Sequence, residues 1–292
     1  MGNNRCPKCQ FYGCNALGVV AVPIDRRGGG NAYLCLEHSR GRRLNPYSSE
    51  NPVRIGEPKK NGLTYSMEFE MDRPTAKAIC ELGIAAFSGT HDCTVDMEAK
   101  SPIYNGANGL KAILPQLEKL QTNGELDVSE RCGTHLHIGR VDYGERERDS
   151  LLPFYWIIHG RLWKAMDNDE EKATRIFGRG EGRWAFGASD ADSWYYRAIR
   201  LNEGYATRDA LEAHPAFLNV QHEPTLEWRR CKFISAAQYS DCIDLCRAFS
   251  NNIFDFASEI VTAKRSGCYD FVTFEAKAKK LGNKLAKIFK EW

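Results

Sequence analysis

Three short stretches alternate charged or imidazole side chains with apolar ones: Glu68-Phe69-Glu70, His135-Leu136-His137 and Glu227-Trp228-Arg229. Side chains two apart on a strand share one face of a sheet. Each stretch therefore shows one polar face, while Met67, Phe69, Met71, Leu136, Ile138, Leu226 and Trp228 point the other way. If these strands are neighbours, one sheet carries a hydrophobic core on its back and carboxylates, imidazoles and a guanidinium on its front. Such a front is too costly to keep dry unless something compensates its charge. Divalent metal and phosphate are the natural compensators.

The elements around these stretches predict an α+β fold in which a mainly antiparallel sheet bears the site on one face and helices on the other. Residues 1–45 form a cysteine-rich module, and 46–61 (within LNPYSSENPVRIGEPKKNG) read as a linker rich in Pro, Asn, Ser and Gly. The main domain, 62–292, opens with a strand over 63–72. Pro74 sits at a first helical position, and 75–87 has helical apolar spacing. Strands are expected over 90–95, 97–104, 132–141, 216–220 and 225–233. Helices are expected over 108–120 (despite Pro115), 150–166, 235–263 and 270–291. Residues 167–215, with Gly178, Gly180, Gly182 and Gly187 among arginines and aromatics, read as loops over a site.

Composition sets few further limits. An apolar content of 42% and an aromatic content of 11% are those of a globular chain able to bury a sizeable core. The formal charge of +2 gives no general attraction to nucleic acid, although arginines crowd 26–43 and lysines crowd 277–290. No run approaches the roughly 18 apolar residues of a membrane span. The N-terminus lacks the apolar core of a secretion signal, so a cytoplasmic location is expected. Without export, the 11 cysteines point to metal binding or buried thiols rather than disulfides.

Cys6-x-x-Cys9 and Cys35-x-x-His38 have the pairwise spacing of a tetrahedral zinc site, with Cys14 in reserve. So small a module needs such a staple to fold. Zinc held by four protein ligands would be structural, and the module could contact protein or nucleic acid through Arg40, Arg42 and Arg43. Cys242 and Cys246 lie one helical turn apart without a matching second pair, so buried thiols are expected there.

In the main domain the carboxylates Glu68, Glu70, Asp92, Glu98 and Glu227 join His135 and His137, which glycines 133 and 139 bracket. Sets of carboxylates with one histidine suit Mg²⁺ or Mn²⁺ rather than structural zinc. A neighbouring arginine such as Arg229 suits a phosphoryl group. Four motifs appear in order: Tyr65-Ser-Met-Glu-Phe-Glu70; Asp92-Cys-Thr with Glu98-Ala-Lys-Ser-Pro102; Cys132-Gly-Thr-His-Leu-His137; and Thr225-Leu-Glu-Trp-Arg229. Together they resemble the amidoligase family of carboxylate–amine ligases, related to glutamine synthetase and glutamate–cysteine ligase. The resemblance covers about 62–250 and omits the cysteine-rich module. Ser66 stands where the family usually has Gly, and Trp228 where it usually has Phe.

That resemblance implies a glutamine-synthetase-like fold and ATP-dependent amide-bond formation through an acyl phosphate. It implies that Glu70 and Glu98 hold one divalent ion, and that Glu68, His137 and Glu227 hold a second. Arg229 would contact the transferring phosphate, and His135 would orient substrate or a metal ligand. Asp92 would anchor the turn carrying Glu98 or deprotonate the amine. Arg183, Arg197 and Arg208 are candidates for ATP or substrate carboxylate. Two rival readings stay open on the residues alone: a metal-dependent hydrolase that needs no ATP, and a non-enzymatic zinc-module adaptor. The apolar stripe Phe274, Ala278, Leu281, Leu285, Ile288 and Trp292, with lysines opposite, is expected to pack on its own domain.

Overall fold

The computed structural model describes residues 20–23, 31–34, 54–55, 62–72, 74–75, 78, 88–90, 97–126, 132–178, 218–220, 225–229 and 231–292. The strands are β1 (Val20–Pro23), β2 (Asn31–Leu34), β3 (Arg54–Ile55), β4 (Leu63–Met71), β5 (Ser88–Thr90), β6 (Met97–Lys100), β7 (Ile103–Asn105), β8 (Thr134–Arg140), β9 (Leu218–Asn219) and β10 (Thr225–Trp228). The helices are α1 (Ala107–Lys111), α2 (Leu114–Thr122), α3 (Glu145–Asp167), α4 (Glu170–Phe177), α5 (Ala236–Arg265) and α6 (Phe271–Glu291). The fold is α+β and its strand pairs are mainly antiparallel, as the alternation predicts; β3 and β7 run parallel.

The residues divide into two compact units. The first contains β1–β3, β4 from Ser66 onward, β5, β6, most of β7, and α2. Here β1 and β2 form an antiparallel pair, while β6 lies antiparallel to both β4 and β5. Along β4, Met67, Phe69 and Met71 are fully buried, whereas Ser66 and Glu68 on the alternate face keep partial exposure. Full burial of each such side chain contributes roughly 1.5–3 kcal/mol. That is enough to fix which face of the strand is core.

The strand expected over 97–104 is broken at Ser101-Pro102. Pro102 has no N–H to donate to a ladder. Ser101 turns back on β4 instead: its N–H donates to the Met67 carbonyl at 2.9 Å, and the Met67 N–H donates to Ser101 Oγ at 2.9 Å. The helix expected over 108–120 is likewise two helices, and Pro115 falls in the first turn of α2, where a missing N–H costs nothing. Most of the expected helix 75–87 and strand 90–95 lies outside the described residues, as do the cysteine-rich module's ligand positions and the Arg183–Arg208 region.

The second unit contains β8 from His135, β10, β9, and α3 to α6. β10 pairs antiparallel with β8 and with β9. Its back face presents Leu136, Ile138, Leu226 and Trp228, all fully buried. Helix α5 covers them: the Trp228 indole N–H donates to Ser250 Oγ at 3.0 Å and its ring lies 5.6 Å from Phe249. Arg140, the last residue of β8 on this face, donates to Asp255 at 2.6 Å and Ser258 at 3.0 Å on the same helix.

Helices α5 and α6 start where their caps require. The Ser235 hydroxyl accepts from Gln238 N–H, and the Asp270 carboxylate from Thr273 N–H. Helix α6 packs Phe274, Ala278, Leu281 and Leu285 of the expected stripe within the unit, chiefly against α3, whereas Ile288 is half-buried and Trp292 is exposed. Helix α3 begins five residues before the expected 150, because the Gly144 N–H donates to the Glu147 carboxylate at 3.2 Å and closes the first turn there.

Helix α4 corrects the loop expected from residue 167. Asp169 caps it, Ala173, Ile176 and Phe177 bury its apolar face, and Gly178 ends it with φ +73°. A side chain at Gly178 would strike the Lys232 carbonyl, so only glycine fits this close approach. The expected strand 225–233 stops at Trp228, since Lys232 donates its N–H to the Phe177 carbonyl at 2.6 Å instead of to a strand.

Candidate active site

The polar face of β4 and β6 is set by their register. Glu68 lies opposite Lys100, and Glu70 lies opposite Glu98. All four side chains share a face because each is two residues from the next on its strand. Lys100 Nζ donates to Glu68 Oε1 at 2.7 Å and lies 3.1 Å from Glu98 Oε1. Burial by itself lowers an ammonium pKa, but these two carboxylates outweigh it and hold Lys100 above its usual value. Glu70 is fixed twice: its N–H donates to the Gly133 carbonyl at 3.1 Å, and its Oε2 accepts from Gly133 N–H at 2.5 Å.

This face carries three carboxylates and one ammonium. Like charges directly opposite on neighbouring strands repel. Glu70 and Glu98 are nonetheless 7% and 8% exposed. A donor set of carboxylate oxygens with an excess of negative charge fits a hard divalent cation. The alternation in Glu98-Ala-Lys100 is the sequence signal that puts Lys100 on this face.

The polar face of the second unit is organised around Glu227, which is 1% exposed. Its Oε1 lies 3.2 Å from His135 Nδ1 and accepts from Arg229 Nη1 at 2.9 Å. His137 is directly opposite Glu227 in the ladder, and its Nδ1 lies 3.2 Å from Thr225 Oγ1. In the tautomer protonated at Nδ1, toward carboxylate or hydroxyl, Nε2 of each ring would keep the lone pair with which imidazole binds metal. Arg229 is a planar cation already aimed into the polar face, suited to a phosphoryl or carboxylate group.

The second unit thus brings His135, His137, Glu227 and Arg229 together, and the first unit brings Glu68, Glu70 and Glu98 together with Lys100. Asp92, Arg183, Arg197, Arg208, Cys6, Cys9, Cys35 and His38 lie outside the described residues. Thr225 and Lys100 are the side chains on these faces that the sequence reading left without a role. The motif Thr225-x-Glu227 carries the first by the same two-residue spacing.

Cys242 and Cys246 are fully buried, as expected, and burial pushes both thiols well above their ordinary pKa. Cys231 joins them from the segment after β10. Among the described residues, no helix is long and apolar enough to cross a membrane.

No curated protein gives a significant match to the chain. Residues 56–177 match the family model described as "Putative amidoligase enzyme". The matched segment includes Glu68, Glu70, Glu98, His135 and His137, while Glu227 and Arg229 follow it. The likeness to that family covers residues 56–177 of the 292, less than half of the chain.

Proposed function

We propose that the protein is an ATP-dependent carboxylate–amine ligase that forms an amide or isopeptide bond through an acyl phosphate. One observation carries this reading. Within the segment that matches the amidoligase family, Glu70 and Glu98 are cross-strand neighbours at low exposure, a costly pairing that a divalent cation relieves.

Joining a carboxylate to an amine in water is uphill, so the acid needs activation by ATP. Glu70 and Glu98 would hold one Mg²⁺ or Mn²⁺, and Glu68, His137 and Glu227 a second. Divalent ions so bound supply charge neutralisation for the transferring phosphoryl group. The remaining work falls to the chain's own side chains. Arg229 binds the phosphoryl oxygens, held in aim by Glu227. His135, braced by the same carboxylate, orients the bound acid. Asp92 takes the proton from the attacking amine or anchors the Glu98 turn, and Arg183, Arg197 and Arg208 contact ATP or the substrate carboxylate. Cys6, Cys9, Cys35 and His38 hold a structural zinc, and that module presents a macromolecular substrate through protein or nucleic-acid contacts. A cytoplasmic location accords with ATP as co-substrate.

The test is release of ADP and phosphate by the full-length chain with Mg²⁺ and a panel of carboxylates and amines. Glu70→Gln keeps an acceptor for Gly133 N–H and Glu227→Gln keeps one for Arg229, so both should fold. Each should lower ATP turnover by at least about 100-fold, the scale on which charge-stabilising groups act. Full activity in either variant removes the metal assignment. Product without ATP supports a hydrolase instead, and the absence of any turnover supports an adaptor.

A further inference from the structure

We propose that Cys231, Cys242 and Cys246 form a second, structural zinc site within the helical unit, closed by the Tyr239 hydroxyl. This goes beyond the ligase reading and does not depend on it. The three sulfur atoms lie within 4.8 Å of one another, and Cys231 Sγ is 3.3 Å from Cys242 Sγ. Tetrahedral zinc with Zn–S near 2.3 Å requires sulfurs about 3.8 Å apart. The observed spacing brackets that value and is far longer than a disulfide bond.

The ligands come from two elements. Tyr239, Cys242 and Cys246 occur at i, i+3 and i+7 of α5, so they share one helix face. Cys231 approaches from the segment leaving β10. All four side chains are fully buried. Buried cysteine is common enough as a small apolar residue. What distinguishes this cluster is a polar group turned into it. Tyr239 lies on the same face of α5 as Cys242 and Cys246, and its buried hydroxyl has no hydrogen-bond partner among the described residues. A buried hydroxyl left so costs about 1–3 kcal/mol.

The donor chemistry selects the ion. Three sulfurs in a dry pocket favour a borderline-soft ion over Mg²⁺ or Ca²⁺. Zinc displaces three protons to solvent as the thiols become thiolates, giving a complex of net charge −1. A neutral phenol in the fourth position adds no further charge to the apolar surroundings. Such a site ties α5 to the residues just after Glu227 and Arg229.

The experiment uses the full chain carrying Cys6→Ser and Cys9→Ser, which removes the N-terminal pair as a zinc source. After gel filtration its zinc content is measured by mass spectrometry, and its melting is followed with and without a chelator. We expect one zinc per chain and a melting temperature several degrees lower with chelator. Introducing Cys231→Ala or Cys246→Ala should reduce zinc below a tenth of an equivalent and abolish the chelator effect, while circular dichroism stays that of a folded chain. Four results overturn the proposal: no zinc after dialysis against zinc; an unchanged melt with chelator; zinc retained in Cys231→Ala; or a disulfide among the three cysteines.

Discussion

His159 makes the helical unit sensitive to mild acid, by an amount that can be worked out. It sits in α3, 2% exposed, with its ring parallel to Trp163 at 6.3 Å and against Tyr155 and Trp156. Burial holds its pKa down at about 3, against an ordinary 6.5. The folded state therefore keeps the ring neutral while the unfolded chain takes up a proton below 6.5. The contribution to stability is fully present above pH 6.5 and is lost as pH falls from there toward 3. Over that window the loss approaches about 1.4 kcal/mol per pH unit. Between pH 7 and pH 5 it comes to about 2 kcal/mol, and any folded value below about 4 gives the same figure. His159→Phe preserves an aromatic ring and removes the titration. Urea unfolding of both proteins at pH 7 and pH 5, followed by circular dichroism, isolates the effect because other titrating groups are common to both. The parent chain should lose about 2 kcal/mol more than the variant. Equal losses would mean that the folded protein protonates His159, and the burial argument would fail.

Two further substitutions test the packing that supports the polar faces. Ser250→Ala strips the acceptor from the buried Trp228 indole N–H, and should cost about 1–3 kcal/mol in chemical denaturation; Ser250→Thr, which keeps the hydroxyl, should recover part of it. Gly282→Ala in α6 should lower the melting temperature even though alanine is the better helix former, because the new methyl would lie 2.9 Å from Arg161 Cβ and 3.3 Å from the Ile157 carbonyl. A rise in melting temperature would show that α3 and α6 can separate without cost.

The alternation of residue types made the polar faces legible, because a period of two leaves little freedom once a strand is recognised. Glu68-Phe69-Glu70 and Glu227-Trp228-Arg229 behave as that period requires, with Phe69 and Trp228 fully buried behind their polar neighbours. The long helices were legible to within a few residues, because Ser235 and Asp270 cap where the apolar period begins. Other features depend on partners distant in sequence. Helix α4 was hidden among glycines and arginines, and only eight residues carry its period. The break at Ser101 follows from its bonds to Met67, 34 positions away. Cys231 gains its meaning only when the chain after β10 turns back beside α5, a contact no local spacing announces.

Strand β10 shows why the polar and apolar halves of one motif cannot be separated. Glu227 is buried almost completely, so its charge is tolerable only with Arg229 and His135 against it. Those partners stay in place only while the strand keeps its register with β8, which sets Glu227 opposite His137 and Trp228 opposite Leu136. A slip by one residue would turn Trp228 to the polar face and drive Glu227 into the core under α5. The first change forfeits the burial of the largest side chain on the strand. The second strands a carboxylate among Leu136, Ile138 and Phe249, at a cost of several kcal/mol. The Trp228–Ser250 hydrogen bond penalises the same slip again, since the indole N–H would lose its acceptor. Precision on the front face, which any phosphoryl chemistry needs, is therefore enforced from behind by apolar packing. The residue most responsible for aiming Arg229 is Trp228, which faces away from it.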